Sequence, residues 1–469
     1  MTRQQRTGLI VKLTHQQLER IRERTPSSLQ LCRGRGMQVM PLGVPTNVAT
    51  IYPHALAVSH GEGAYLTDID GNRYCDYGAG YGALPVGHAH PQVVAAVTRQ
   101  AARGTHFGAV TQTTVAYAEH LCDRFGLDWV RFSASGTEAT MDALRLARAH
   151  TGRSVVVRAE GSYHGAHPDG LLSINQDLVD EMGPDDAPVA WPVDRSLPAN
   201  ATENVRVIAF NDLDAAEAAL SSQDAAALII EPIMFNVGAI EPGVDGSIEA
   251  GRRYLQGLRD LCDAYGTLLV FDEVKTAATV AWGGAQELYG VAPHLKTFAK
   301  AVCGGLPGGA VGDTDGRTFE LVESQDVMHV GTLSGNPLTA AAGLAALTRV
   351  LTPEAYAGFD AFARHLRAGV QQVIDRYGLD AYVMTRGAKG CIVWAPQRLA
   401  DFRQYNRLFD ADVAFACWAF MANEGIWFPH GHDEQFTVSV CHGPAEAQLF
   451  VDAFDAFAQL LDRHGLAGG

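Results

Sequence analysis

The stretch Leu268-Leu269-Val270-Phe271-Asp272-Glu273-Val274 places two acids directly after a run of large apolar residues. Such a run predicts a strand buried on both faces, as in a parallel sheet covered by helices. Ligands of these sheets bind outside the carboxyl ends of the strands, so Asp272 stands where a functional acid would, although a helix-capping or ion-paired acid would look the same. The stretch therefore predicts an α/β fold with a candidate site at this strand end.

Similar apolar runs, separated by helical segments, occur on both sides of this stretch. We predict strands over 129–132, 154–158, 225–230, 267–271 and 297–299, and two more over 391–395 and 436–440 in a smaller α+β domain. Thr14 and Gln17 fit a capping box at the start of a helix. The predicted organisation is an arm with part of the small domain over 1–74, a large domain with a mostly parallel central sheet over 75–337, and a C-terminal small domain over 338–469.

Charge and composition limit the possible partners. The 469 residues include 52 acidic and 36 basic ones, and the net charge of -16 disfavours a nucleic acid or an anionic membrane as partner. No apolar run approaches the roughly 18 to 20 residues of a membrane-spanning helix, and the start lacks a signal peptide's apolar region, so we expect a cytoplasmic protein. Only five residues are lysines, so chemistry that needs a primary amine has few possible places.

One of these lysines, Lys300, ends a short apolar run and precedes the glycine-rich Gly304-Gly305-Leu306-Pro307-Gly308-Gly309. A lysine among small and apolar residues can lose its charge by desolvation and become a nucleophilic amine. The ordinary alternative is a lysine that extends its ammonium to solvent beside a glycine-rich turn.

A third motif, Ser135-Gly136-Thr137, lies between the predicted strand 129–132 and a helix. A small-residue turn that opens a helix suits a phosphate, although an ordinary N-cap would read the same way. Together the turn, Asp272 and Lys300 are the parts that pyridoxal 5'-phosphate needs. The lysine holds the aldehyde as a Schiff base, the turn binds the phosphate, and the carboxylate pairs with the ring nitrogen.

Further motifs extend this set in order along the chain: Tyr163-His164-Gly165, Glu231-Pro232 and 331–337, which reads Gly-Thr-Leu-Ser-Gly-Asn-Pro. With them the sequence resembles the class III aminotransferases, which are pyridoxal-phosphate enzymes of fold type I, from about residue 41 to the last helix. The stretches 283–291 and 87–91 resemble the glutamate-1-semialdehyde aminomutase branch most closely.

The resemblance implies a role for each residue that matches a family motif. The implied catalytic residues are Lys300, Asp272 and Tyr163. The implied cofactor-binding residues are Ser135, Gly136, Thr137, Tyr163, His164, Glu231, Asn236, Asp272, Val274, Lys300 and, from the neighbouring subunit of a homodimer, Thr332. The implied substrate-binding residues are Thr46, Tyr81 and Glu434.

Departures from the family bear on the substrate. Ala49 stands where the aminomutase branch has an arginine for the substrate carboxylate, which argues against glutamate semialdehyde, and Lys275 is also unusual. With Tyr81, Trp427 and Phe428, Ala49 favours an aminotransferase for an amino acid or amine with an apolar or aromatic part. An aminomutase or a racemase, which use the same lysine and acid, stay open as alternatives.

Three competing interpretations have weaker support. Residues 78–83 resemble a dinucleotide-binding loop, but no strand clearly precedes them and they open no helix, so a nicotinamide-dependent oxidoreductase is a distant alternative. The histidine pairs at 88 and 90, 164 and 167, and 430 and 432 lack further ligands nearby, so we predict no metal. A non-catalytic binding protein would be expected to have lost Lys300 or Asp272.

Overall fold

The computed structural model describes residues 3–430 and 435–467. Its helices are α1 (Arg3–Arg24), α2 (Pro26–Leu29), α3 (Ala79–Gly82), α4 (Pro91–Ala101), α5 (Gln112–Phe125), α6 (Gly136–Thr151), α7 (Leu213–Leu220), α8 (Ile248–Tyr265), α9 (Gly284–Tyr289), α10 (Glu320–Glu323), α11 (Pro337–Ala345), α12 (Pro353–Tyr377), α13 (Phe402–Leu408), α14 (Ala411–Asn423) and α15 (Pro444–Arg463). Its strands are β1 (Val58–Glu62), β2 (Tyr65–Asp68), β3 (Arg73–Asp76), β4 (Trp129–Ser133), β5 (Val155–Ala159), β6 (Val205–Ile208), β7 (Ala225–Ile230), β8 (Leu268–Asp272), β9 (Leu295–Ala299), β10 (Gly309–Asp313), β11 (Tyr382–Arg386), β12 (Lys389–Val393), β13 (Ile426–Trp427) and β14 (Gln435–Thr437).

Seven strands form the large sheet in the order β4-β10-β9-β8-β7-β5-β6. β10 runs antiparallel to both of its neighbours, whereas the other pairs are parallel. The predicted fold class is therefore confirmed, and all five strands predicted for this sheet are present. β6 and β10 were not predicted.

Helices cover both faces of this sheet. Alternate residues of a strand point to opposite sides, so neighbouring residues of one strand pack against different helices. In β8, Val270 belongs to the hydrophobic cluster that includes Leu144 of α6. Its neighbour Phe271 belongs to the cluster that includes Leu255 of α8. Both strand residues are fully buried, which explains why β8 reads as a continuous apolar run.

Two smaller sheets accompany the large one, in the orders β1-β2-β3-β13 and β11-β12-β14. β13 pairs with β3, so segments from the beginning and the end of the chain share a sheet. The predicted capping box is wrong: Thr14 lies inside α1, where its hydroxyl donates to Ile10 O at 2.9 Å. The predicted domain limits stay predictions. In the parts of the chain that the structure describes, every helix is too short or too polar to span a bilayer.

Candidate active site

Several strands of the large sheet end at one edge, and the residues that follow them surround one cavity of about 400 Å³. The register fixes this alignment, because Gly309 at the start of β10 lies opposite both Ser133 of β4 and Ala299 of β9. Every residue predicted to bind the cofactor, Thr332 excepted, lines this cavity: Ser135, Gly136, Thr137, Tyr163, His164, Glu231, Asn236, Asp272, Val274 and Lys300.

The turn before α6 forms one end of the cavity. Ser135 caps the helix by accepting a hydrogen bond from Glu138 N at 3.2 Å. The first-turn N–H groups of this 16-residue helix lie at its positive end, which favours an anion. A Cβ atom at Gly136 would lie 3.2 Å from side-chain atoms of both Val274 and Ala299, so the turn packs tightly against the end of β9 and the residue two positions after β8.

Asp272 is held by donors from three directions. Its Oδ2 accepts from His164 Nδ1 at 2.8 Å, and its Oδ1 accepts from Val274 N at 3.1 Å and from Thr297 Oγ1 at 3.2 Å. The side chains of Asp272 and His164 are both buried. The carboxylate therefore has one fixed orientation. Thr297, on the neighbouring strand β9, was missed by the sequence analysis, since a strand threonine carries no functional signal.

Glu231 organises the side of the cavity next to β7. Its Oε1 accepts from Tyr163 N at 2.9 Å, and its Oε2 accepts from Asn236 Nδ2 at 2.7 Å and Phe235 N at 3.2 Å. Burial raises the pKa of Glu231, while the nearby charges of His164 and Lys275 oppose that rise. Glu231 thus fixes the backbone of Tyr163 and the side chain of Asn236 together.

A buried arginine anchors the loop that carries Tyr163 and His164. Arg158 donates to the carbonyl oxygens of Ser162, Asp169 and Gly170, and burial lowers the pKa of its guanidinium to about 10. These hydrogen bonds fix the loop backbone both before and after Tyr163 and His164.

Thr140 of α6 adds a second anchor to this loop, with its hydroxyl 2.6 Å from His164 O and 3.2 Å from His167 Nε2. Burial lowers the pKa of His167 to about 4, so this histidine is neutral at pH 7. Thr140 lines the cavity and was also missed by the sequence analysis.

Lys300 is the first residue after β9, and it lines the cavity. Its φ of 50° lies in the left-handed region, which residues other than glycine seldom adopt. Such strain persists where the surrounding structure imposes it, and it is concentrated at functional sites. β9 lies beside β8, with Thr297 paired to Asp272, so the lysine and the acid extend from neighbouring strand ends.

A second, more apolar cavity of about 690 Å³ lies under the N-terminal segment. Ala49, Tyr81, Trp427 and Phe428, the four residues taken as indicators of an apolar substrate, all line it. The hydroxyl of Tyr81 donates to Val48 O at 2.8 Å. Tyr81 is thus placed in this cavity and is not among the residues that line the Lys300 cavity.

The loop over 78–83 connects the walls of the two cavities. Gly80 and Tyr81 line the apolar cavity, and Ala83 lines the Lys300 cavity. The expectation that no strand precedes this loop is wrong, since β3 ends at Asp76. The positive φ angles of Gly80 and Tyr81 interrupt α3, so the loop opens no regular helix of the dinucleotide-binding kind.

The remaining predicted residues are placed less centrally. Thr46 is exposed and outside the lining of both cavities, and Thr332 lines a separate cavity of about 560 Å³. Glu434 and His432 lie outside the described residues. His88 Nε2 contacts Asp76 Oδ2 at 2.6 Å, and the part of the chain that the structure describes contains no group of three or more potential metal ligands.

The residues present fit pyridoxal phosphate. A helix start flanked by hydroxyls provides for its phosphate, a buried and fixed carboxylate for its ring nitrogen, and a lysine at the neighbouring strand end for its aldehyde. Fold and site together define a pyridoxal-phosphate enzyme of fold type I. Residues 47–428 match the family model of the class-III aminotransferases, and the chain belongs to this family.

Relatives of the chain carry two kinds of name. The chain is 37% identical over 433 residues to a glutamate-1-semialdehyde 2,1-aminomutase of Lysinibacillus sphaericus, and the match covers 90% of this chain and 96% of the relative. An omega-transaminase structure from Sphaerobacter thermophilus, 32% identical, matches with a TM-score of 0.84 over 92% of this chain and 97% of that one.

A glutamate-1-semialdehyde-aminomutase structure from Pseudomonas aeruginosa PAO1, in complex with PMP, is 26% identical and matches with a TM-score of 0.86 over 96% of this chain and 98% of that one. The chain is thus an enzyme of the class III aminotransferase family whose cofactor is pyridoxal 5'-phosphate.

Proposed function

We propose that this enzyme is an aminotransferase that moves an amino group from an amino acid or amine to a keto acid or aldehyde by a ping-pong mechanism. The proposal rests on one observation: Lys300, Asp272 and the turn at Ser135 line the same cavity. When bound, pyridoxal phosphate supplies an aldehyde that takes up the amino group and a protonated ring that withdraws electrons.

The turn at Ser135 binds the phosphate in this proposal. The hydroxyls of Ser135 and Thr137 add donors to the N–H groups at the start of α6. Because the chain carries a net charge of -16, this local arrangement, and not a general positive field, has to attract the anion.

Asp272 keeps a proton on the ring nitrogen. Its carboxylate is buried, and in a buried site a fixed negative charge acts more strongly than it would in water. His164 and Thr297 hold both oxygens in place, so no reorganisation is needed when charge develops on the substrate.

Lys300 is the base. Its Nζ would take up the proton released by the substrate carbon that bears the nitrogen, and would deliver that proton to the cofactor carbon that receives the amino group. Tyr163 lines the same cavity and would cover the ring when the cofactor is bound. Burial raises the pKa of its hydroxyl, so it stays protonated at pH 7.

The apolar cavity supports a substrate with an apolar or aromatic part. Trp427 and Phe428 line it, and at Ala49 the small methyl side chain leaves space where the aminomutase branch is expected to have an arginine. The loop over 78–83 borders both cavities, so a substrate bound at Lys300 can extend its apolar part past Tyr81.

The enzyme is further proposed to act as a homodimer, with Thr332 completing the phosphate site of the partner. Thr332 lines a cavity other than that of Lys300 in its own chain, and nearby Met328 and Val330 are 70% and 75% exposed. Apolar side chains this exposed favour a protein partner. Light scattering of the purified protein would give a dimer mass; a monomer would contradict the proposal.

A second candidate, an amino-group shift within one molecule, is favoured by the aminomutase names of relatives at 37% identity. The two functions differ in one measurement. With a donor and no acceptor, an aminotransferase releases about one equivalent of carbonyl product per site and then stops. An aminomutase or a racemase instead converts the donor into an isomer and releases no carbonyl product.

The variant Lys300→Ala tests the central proposal. We expect it to lose the covalent cofactor adduct that borohydride fixes in the wild-type protein, and to lose about two to four orders of magnitude in turnover. Lys12→Ala, at an exposed position of α1, is the matched control and keeps both properties. A Lys300→Ala variant with full activity, or a wild-type protein that takes up no pyridoxal phosphate, would contradict the proposal.

A further inference from the structure

Residues 79–82, which lie between the Lys300 cavity and the apolar cavity, form a left-handed turn. Their φ angles in chain order are 44°, 60°, 57° and 88°. Residues other than glycine adopt such angles at an energetic cost and as a rule singly, so a run that includes Ala79 and Tyr81 has to be held by its surroundings. The contacts that hold this turn therefore bear on the shape of both cavities.

One buried carboxylate, that of Asp76 at the end of β3, holds the beginning of the left-handed turn. Its Oδ1 accepts from Gly78 N at 2.8 Å and from Ala79 N at 3.2 Å. Asp76 is only 3% exposed, and hydrogen bonds from backbone N–H groups to a carboxylate are stronger than those between neutral groups. Asp76 thus fixes the backbone at the point where the chain leaves β3 and becomes left-handed.

His88 fixes Asp76 in turn. Asp76 Oδ2 accepts from His88 Nε2 at 2.6 Å. The histidine has little freedom of its own, because its backbone exchanges hydrogen bonds of 2.8 and 2.9 Å with Gly63, and a Cβ atom at Gly61 of β1 would lie 2.6 Å from its ring. Both oxygens of Asp76 therefore have donors that are themselves fixed, and the carboxylate has one orientation.

The left-handed turn carries the side chain of Tyr81 into the apolar cavity, where its hydroxyl donates to Val48 O at 2.8 Å. Asp76 and His88 line the same cavity, whereas Ala83, directly after the turn, lines the Lys300 cavity. The left-handed turn thus lies along the border of the two cavities, and its geometry determines where the Tyr81 ring stands.

We propose that Asp76 and His88 are positioning residues for substrate selectivity: through the left-handed turn they fix the Tyr81 ring where the apolar part of a substrate passes from one cavity into the other. The inference rests on the proposed function, in which that apolar part occupies the apolar cavity. A side chain that is already fixed before the substrate arrives loses little conformational freedom on binding, so the hydrogen bond from His88 raises the affinity for apolar substrates.

The test compares two neutral and unreactive probes, 3-phenylpropanamide and propanamide, which differ by one phenyl ring. Calorimetric titration of the cofactor-loaded protein gives the affinity of each without any turnover. We expect wild type to bind 3-phenylpropanamide about tenfold or more tightly than propanamide, since the ring leaves water for the apolar cavity. A wild type without this preference for the phenyl probe would overturn the proposal.

Variants of Tyr81 and His88 test how the preference arises. Tyr81→Ala, at a partly buried position, and His88→Leu, which removes the donor to Asp76, should each lower it by about threefold or more. His88→Gln, whose amide can donate in place of Nε2, should keep most of it. In the double variant of Tyr81→Ala and His88→Leu the loss should be no larger than in Tyr81→Ala alone, because His88 acts through Tyr81.

Additive losses in the double variant would show that His88 acts independently of Tyr81, and would overturn the proposal. So would an unchanged preference in Tyr81→Ala, a His88→Gln variant as impaired as His88→Leu, or a cofactor uptake that falls together with the preference. If His88→Leu does not fold, His88→Asn, whose amide is too short to reach Asp76, replaces it with the same expected losses. His15→Leu, at an exposed histidine of α1, is the matched control and should bind both probes as wild type does.

Binding and turnover together separate this inference from the proposed function. If donors are not converted but the preference for the phenyl probe depends on His88 through Tyr81, the aminotransferase function fails while the positioning role stands. If donors are converted and His88→Leu keeps the wild-type preference, the function stands and the positioning role is refuted. With an active wild type, His88→Leu should raise KM for donors that carry a phenyl ring and leave kcat and the KM of small donors nearly unchanged.

Discussion

Helix α13 carries a buried and an exposed ion pair one turn apart, which allows a controlled test of how the Tyr163 loop is held. Arg403 binds Glu160 through two hydrogen bonds of 2.7 Å, and the two side chains are 9% and 2% exposed. Arg407 contacts Asp185, and these side chains are 58% and 51% exposed. Glu160 directly follows β5 and lies three residues before Tyr163.

The two pairs should differ several-fold in their effect on stability. Arg403→Met leaves the Glu160 carboxylate buried without its partner, which costs about 3 to 5 kcal/mol. Arg407→Met breaks an exposed pair and should cost less than about 1 kcal/mol. In the double variant of Arg403→Met and Glu160→Met no buried charge is left without its partner, so the part of the loss that comes from the Glu160 charge should return. The part that comes from the Arg403 hydrogen bonds to Val179 O and Met182 O should remain.

The pH dependence of the free energy of unfolding tests the same reasoning independently. Burial already raises the pKa of Glu160, and loss of the opposing Arg403 charge raises it further. A carboxyl group with a raised pKa in the folded state binds its proton more readily there than in the unfolded chain, so stability increases as the pH falls through that folded-state pKa. The deficit of Arg403→Met relative to wild type should therefore shrink between pH 8 and pH 5.5.

Pulse proteolysis in urea, which reports the folded fraction, measures these differences on the cofactor-loaded protein. An Arg403→Met variant no less stable than Arg407→Met at pH 7.5 would refute the reasoning. A deficit that stays constant with pH would show that the loss comes from the other contacts of Arg403, which are its hydrogen bonds to Val179 O and Met182 O and the packing of its stem, and not from the Glu160 charge.

Two further predictions concern buried groups near the site. Burial lowers the pKa of Lys296 to about 8, so as the pH rises the folded state releases this proton before the unfolded chain does. From pH 8 to 10.5 the free energy of unfolding of wild type should therefore rise by up to about 3 kcal/mol relative to Lys296→Met. Urea midpoints measure this difference, and parallel pH curves for the two proteins would contradict it. Gly136→Val should weaken pyridoxal phosphate binding at least about tenfold, because its side chain would enter the space of Val274 and Ala299; unchanged affinity by absorbance titration would disprove the tight fit.

The sequence predicted best those elements whose residues are both apolar and continuous. β7 and the first four residues of β8 are fully buried and all apolar, so these strands were visible without their neighbours. β10 is equally buried but contains glycines, because a Cβ atom at Gly309 or Gly312 would overlap Ser135 O or the Leu127 side chain. Contacts from elsewhere in the fold thus removed the apolar signal.

The same limit applies to the site. Lys300 and Asp272 were identified because each ends an apolar run, which is a local feature. The pairing of His164 with Asp272 joins residues 108 positions apart, and the roles of Thr140 and Thr297 depend on which strands become neighbours. These contacts follow from the order and register of the sheet, which a single sequence does not specify.

The burial of the lysines has a consequence for chemoselectivity. An aldehyde reacts with any accessible primary amine, and of the five lysine side chains Lys275, Lys296 and Lys389 are at most 6% exposed. Lys12 on the outer surface of α1 and Lys300 in its cavity remain. Most of the surface cations are arginines, whose guanidinium groups do not compete for the aldehyde at neutral pH. Among the lysine side chains, misplaced adducts and the reactions of amine-directed labels or supports are therefore largely confined to Lys12.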